Sequence, residues 1–81
     1  MKHINNLREH VTGTIVESNL RLGRMTILAD DGRQLEGRMP QAVRDVYVRN
    51  GKRIQLSLTV PFFVAGINAW RFENARGVKV S

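Results

Sequence analysis

The sequence predicts an all-β domain, a small five-stranded barrel with one short helix between the third and fourth strands. Three observations carry that expectation. The stretch Gly51-Lys52-Arg53-Ile54-Gln55-Leu56-Ser57-Leu58-Thr59-Val60 alternates polar and apolar side chains, the period-two pattern of a strand with one wet and one dry face. β-Branched and aromatic residues recur in short runs punctuated by Gly, Asp, Asn and Pro, a spacing that suits hairpins. Eighty-one residues make one domain, and a domain of this size buries only about two thirds of the surface its unfolded chain exposes, which leaves little room for a deep catalytic cleft.

Residues 1–9 are polar apart from Ile4 and Leu7 and are expected to form a flexible N-terminal arm, with the barrel at residues 10–73 and a C-terminal tail at 74–81. Val11-Thr12-Gly13-Thr14-Ile15-Val16-Glu17 reads as the first strand, with Gly13 at a bulge or bend, and Ser18-Asn19-Leu20-Arg21-Leu22-Gly23 as a loop. Arg24-Met25-Thr26-Ile27-Leu28-Ala29 is the second strand. Asp30-Asp31-Gly32 supplies the hairpin turn, because Gly32 can take positive φ. In the third strand, Arg33-Gln34-Leu35-Glu36-Gly37-Arg38-Met39, register puts Leu35, Gly37 and Met39 on one face and Gln34, Glu36 and Arg38 on the other.

Pro40 suits a first helical position, where its missing N–H has no intrahelical partner to lose. Ala42, Val43, Val46 and Tyr47 share one stripe of a helix over residues 41–49 that Asn50-Gly51 ends, although Val46-Tyr47-Val48 suits an extended piece as well. The fourth strand points Ile54, Leu56, Leu58 and Val60 inward and Arg53, Gln55, Ser57 and Thr59 outward. Pro61-Phe62-Phe63-Val64-Ala65-Gly66 follows as an apolar loop, and Asn68-Ala69-Trp70-Arg71-Phe72 is the fifth strand, with Trp70 and Phe72 as core fillers. Five strands with a helix after the third is the order of an OB-fold, a Greek-key barrel that binds oligonucleotides on its second and third strands and the loops beside them. An SH3-like barrel is the alternative, and the strand pattern alone leaves it open.

Charge points to the partner. Thirteen Lys and Arg face seven Asp and Glu, a net charge of +6, which favours phosphate polyanions. Ten of the thirteen cations are arginine, whose flat fork binds phosphate in two-pronged fashion and stacks on bases. Arg24, Arg33 and Arg38 fall on strands two and three. Arg44, Tyr47, Arg49, Lys52 and Arg53 border them, and Arg71 takes the opposite strand face from Trp70. Phe62 and Phe63 are adjacent, so they cannot both face inward on a strand, and they form a candidate partner-binding patch.

Other chemistry is poorly served. Cysteine is absent, which removes disulfides and thiolate metal sites and favours an intracellular protein. His3 and His10 have no carboxylate cluster around them, so neither a metal nor a cofactor is expected. Ser18, Ser57 and Ser81 lack a partner histidine, and Asp30-Asp31 is explained by its turn, so an enzyme is not expected. No stretch has the apolar run of a signal peptide or the ~18 residues of a membrane span, and a soluble cytoplasmic protein is expected.

Residues 11–72 also resemble a known family, bacterial translation initiation factor 1 and related S1-type OB domains. Gly13-Thr14-Ile15-Val16-Glu17 is similar to its opening Gly-Thr-Val-x-Glu strand, Asp31-Gly32 to its hairpin, and Tyr47-Val48-Arg49 to its Tyr-Ile-Arg. Asn50-Gly51-Lys52-Arg53-Ile54 resembles its Gly-Asp-Lys-Val lead into strand four, and Pro61-Phe62 its Pro-Tyr after that strand. Pro40-Gln41-Ala42-Val43 stands where the family has a basic helix start. The resemblance implies the OB-fold and a capacity for RNA, with the small ribosomal subunit or the transcription machinery as the setting. The leading expectation is therefore an RNA- or single-stranded nucleic-acid-binding protein. The alternative is a protein-interaction or homodimerisation module using the 61–66 loop, and a basic inhibitor of transcription or translation would present the same surface.

Overall fold

The computed structural model describes residues 7–45 and 50–80. They form one mostly β sheet with one short helix, in the order β1 Arg8–Asn19, β2 Arg24–Ala29, β3 Gln34–Arg38, α1 Gln41–Asp45, β4 Arg53–Thr59, β5 Phe62–Val64, β6 Ala69–Phe72 and β7 Ala75–Val80. Seven strands therefore stand where five were expected. Across the sheet they run β5-β6-β3-β2-β1-β4-β7, all neighbours antiparallel except β3 and β6, which are parallel. Among the described residues no helix is long and apolar enough to cross a membrane.

β1 organises the sheet. Residues 8–14 pair with β4 and residues 13–19 with β2, so Gly13 and Thr14 are bonded on both sides. A Cβ on Gly13 would stand 2.5 Å from the Leu28 carbonyl oxygen and 2.8 Å from Ile27 Cγ2, so the two strands approach this closely only because the residue has no side chain. The bulge expected at Gly13 lies instead at Val16, where register shifts between Ile15 and Glu17. Val16 keeps the outward side that alternation gives it, and the extra residue turns Glu17 outward as well, beside Thr26. Ser18 and Asn19, expected in a loop, belong to the strand.

The two added strands come from segments read as a loop and a tail. Phe62–Val64 pairs with β6 through a hairpin closed by a 3₁₀ turn, Ala65–Ile67, and by Asn68 at φ 52°. Pro61 does not forbid this, because a proline just before an edge strand gives up no ladder hydrogen bond. β7 pairs with β4, its register shifting near Gly77 at φ 62°, so turn-like residues mark a bulge inside a strand. Between β6 and β7, Glu73 and Asn74 bend the chain around Thr59. The Thr59 N–H donates to the Asn74 carbonyl at 3.1 Å, and its Oγ1 accepts from the N–H groups of Glu73 (3.1 Å) and Asn74 (3.3 Å). Residues 69–80 thus serve β3 at one end and β4 at the other.

This bend also ends β4 at Thr59, so Val60, expected inward, is 52% exposed and Pro61 is buried in its place. The core gathers Val11, Ile15, Met25, Ile27, Leu35, Met39, Ile54, Leu56, Leu58 and Phe72, as the alternation predicts. α1 adds Val43, while Ala42 from the same expected stripe is exposed. The Pro40 carbonyl accepts from the N–H groups of Val43 and Arg44 at 3.0 and 3.2 Å, so Pro40 caps the helix one position before the first helical place expected for it. Residues 46–49 of the expected helix lie outside the described residues.

Gly37 tests the packing. A Cβ there would meet the Phe72 carbonyl oxygen at 2.5 Å and the Phe72 ring at 2.6 Å. Gly37→Ala is expected to cost about 1–3 kcal/mol by overpacking, whereas Gly66→Ala, which meets nothing within 4 Å, should stay within about 0.5 kcal/mol. Urea melts of the two variants check this.

Candidate nucleic-acid interface

The outer face of β2, β3 and β6 carries the residues nominated for binding. Arg24 and Arg38 are cross-strand partners, and Glu36 stands opposite Thr26 on one side and Arg71 on the other. Arg24 and Arg71 converge on the same carboxylate oxygen, their Nη2 atoms lying 3.2 and 3.0 Å from Glu36 Oε1. These hydrogen bonds, from Arg71 first and Arg24 second, hold the Glu36 carboxyl below the ordinary range. The pair of arginines therefore presents one net positive charge.

Two further nominated arginines are engaged elsewhere. Arg33 does not join Arg24 on the sheet face. It precedes β3, and its guanidinium is held by Glu9 and, at 2.9 Å, by Asp31. The Glu9 hydrogen bond raises the Arg33 pKa, and the Arg33 backbone N–H, at 3.0 Å, lowers that of Asp31. Arg53 makes a two-pronged pair with Asp30, both contacts at 2.7 Å, and also donates to Thr14 Oγ1 at 3.2 Å. The Asp30 carboxyl is lowered and the Arg53 guanidinium raised by that mutual hydrogen bond. The arginines do not form one coherent positive surface, because acids from β1 and the 30–32 turn neutralise those at the Asp30 end.

Several cations without a salt bridge lie at the opposite end, around residues 20–23, while Arg8, Arg76 and Lys79, also without one among the described residues, lie on β1 and β7. The Met39 N–H donates to the Gly23 carbonyl at 2.7 Å, docking this turn onto the end of β3. Arg44 reaches over from α1, its Nη2 3.4 Å from the Leu20 carbonyl. A Cβ on Gly23, which sits at φ 68°, would be 3.3 Å from Arg44 Nη1. Arg38, Arg44, Leu22, Gly23, Pro40 and Gln41 line an open depression of about 370 Å³ here. Lys52 stands farther along β1, its carbonyl accepting from the Ile15 N–H at 2.9 Å, in a turn whose Gly51 N–H lies 2.6 Å from the Ile15 carbonyl. Among the described residues Arg21, Arg38, Arg44 and Lys52 make no salt bridge. Arg21, between two leucines in the turn, carries no sequence signal that separates it from a solvated loop residue, and it is the cation the sequence reading missed. Tyr47 and Arg49, also nominated, lie outside the described residues.

The aromatic residues divide differently from expectation. Phe72 is buried, but Trp70 is only partly so and forms an edge-on pair with Phe63, ring centroids 5.6 Å apart. Phe62 and Phe63 are both exposed, at 47% and 50%. Set against known proteins, the sequence matches no protein-family model and no curated protein.

Glu36 gives the face a pH signature. Its folded value lies below its unfolded one, so the stability it contributes is present above the unfolded value near pH ~4.3 and is lost as pH falls through the folded value. Glu36→Gln is expected to flatten the acid limb of stability against pH below about pH 4.5. Thermal melts between neutral pH and pH ~3 check this.

Proposed function

We propose that this chain is a small OB-fold protein, similar to bacterial translation initiation factor 1, that binds RNA or other single-stranded nucleic acid through arginine and lysine contacts to phosphate. The observation that carries the reading is the group of Arg21, Arg38 and Arg44, without salt bridges among the described residues, at one end of the β2–β3 face, with Lys52 likewise unpaired beside β1. Such a group creates an uncompensated positive field, and its place beside strands two and three agrees with the surface an OB-fold uses. The strand connections agree as well. Counted as one strand bent at Glu73 and Asn74, β6 and β7 reduce the sheet to five principal strands plus the β5 flap, and their dual pairing with β3 and β4 supports the barrel reading. An RNA-rich assembly, the small ribosomal subunit or a transcription complex, is the natural setting for a cationic module of this size.

Anisotropy of a labelled single-stranded RNA, titrated with protein from low to physiological salt, tests the reading. Log affinity should fall with log salt at a slope of about 0.7 per phosphate neutralised. Arg38→Glu with Arg44→Glu should weaken binding at least about tenfold and flatten the slope by about 1.4. Arg53→Gln, which removes a cation already compensated by Asp30, should do much less. Binding indifferent to salt and to Arg38 and Arg44 would refute the electrostatic mechanism.

Exposure of Phe62, Phe63, Val60 and Ile67 on and around one hairpin favours a second reading, a protein-interaction or homodimerisation surface. A sedimentation profile that shifts from dimer to monomer in Phe62→Ser, with RNA affinity unchanged, would select it.

A further inference from the structure

We propose that the depression beside Trp70 is a nucleobase site, seating one unpaired base of a bound strand among Phe63, Trp70 and Arg33. The inference rests on the nucleic-acid reading and adds to it a contact of a different kind, far along β3 from the free cations. The depression is open, about 470 Å³ in volume, and lined by Trp70, Phe63, Arg33, Gln34, Asn68 and Asp31 among others. Trp70 is fixed in place from two directions. Phe63 meets it edge-on at an interplanar angle of 66°, and the Arg33 guanidinium lies 5.4 Å from its ring centroid. Phe63 keeps half of its own surface in solvent, so the aromatic wall is held rigid without being covered.

Charge and hydrogen bonding narrow the occupant. Arg33 is held by both Glu9 and Asp31, so the depression offers no surplus cation to a phosphate. One guanidinium between two carboxylates leaves a net negative cluster beside a flat aromatic wall. Guanidinium planes and aromatic rings are the two surfaces on which splayed bases stack. The amides of Gln34 and Asn68 stand at the rim, each with donors and an acceptor of the kind that reads a base edge. Asn68 is held there by its left-handed backbone at φ 52° and by its N–H bond to the Ala65 carbonyl at 3.1 Å. An aliphatic peptide side chain would cover the rings but leave both amides unpartnered, which is costly once water is excluded.

The chain has a single tryptophan, so its emission reports on this depression alone. The experiment titrates the full chain with a single-stranded oligouridylate of about 12 nucleotides, within the reach of one such domain, and with an abasic sugar-phosphate strand of equal length. Dye anisotropy measures binding, and tryptophan emission measures stacking. Both strands should bind, and only the base-bearing one should quench Trp70. Phe63→Ala should weaken the base-bearing strand on the order of tenfold and leave the abasic strand unchanged. Asn68→Gly, which suits the left-handed backbone, removes a rim amide without touching the rings and should give a smaller loss confined to the base-bearing strand. Equal quenching by both strands, or tight oligouridylate binding with unaltered emission, would overturn the nucleobase site and leave the phosphate-binding reading intact. Failure of both strands to bind would overturn both.

Discussion

The bend held by Thr59 at Glu73 and Asn74 is the constraint on which the other features depend. One threonine satisfies both backbone N–H groups of the bend through its hydroxyl, and its own N–H is taken by the Asn74 carbonyl. That arrangement lets a single stretch of chain run parallel to β3 and then antiparallel to β4. Phe72, placed just before the bend, lies across Gly37 and completes the core. Arg71 is delivered to Glu36, and Trp70 to Phe63 and Arg33. The packing, the ion-pair triad and the aromatic wall are thus consequences of one corner.

Charge is sorted along the sheet. At the 30–32 turn, carboxylates lie within reach of every nearby nominated arginine, so Arg33 and Arg53 serve mainly to tie β1, β3 and β4 to that turn. Around the 20–23 turn, Arg21, Arg38 and Arg44 are exposed and make no salt bridge among the described residues, and Arg44 donates to the Leu20 carbonyl. A net charge of +6 says nothing about this division. Two surfaces of similar composition can differ in field because one has its counter-charges built in.

Much of the fold was legible because it is written in strictly local patterns. The alternation Ile54, Leu56, Leu58, the faces of Leu35 and Gly37, and the turn at Gly32 follow from pleat geometry and glycine backbone freedom. Val60 broke the same pattern because its fate depends on Asn74, a residue far along the chain. β5 and β7 were hidden for a similar reason. Pro61 and Gly77 look like breakers until long-range pairing turns one into an edge and the other into a bulge. At the candidate site, residue type identified the arginines but not their partners. Which of them stay free is decided by Glu9, Asp31, Asp30 and Glu36, and only the folded register brings these acids alongside. Trp70 looked like core because its strand alternates correctly. Its position near the end of the sheet, which sequence does not encode locally, leaves it only partly buried.

The outermost strands bear on how this molecule behaves among copies of itself. An unpaired strand margin is a template on which another chain can continue the ladder, the route to fibrils and irreversible clumping. Here β5 offers only three residues. β7 is interrupted by the left-handed Gly77 and carries Arg76 and Lys79, so incoming backbone would meet a kinked, like-charged rim. Growth of the sheet from molecule to molecule is therefore disfavoured at both margins.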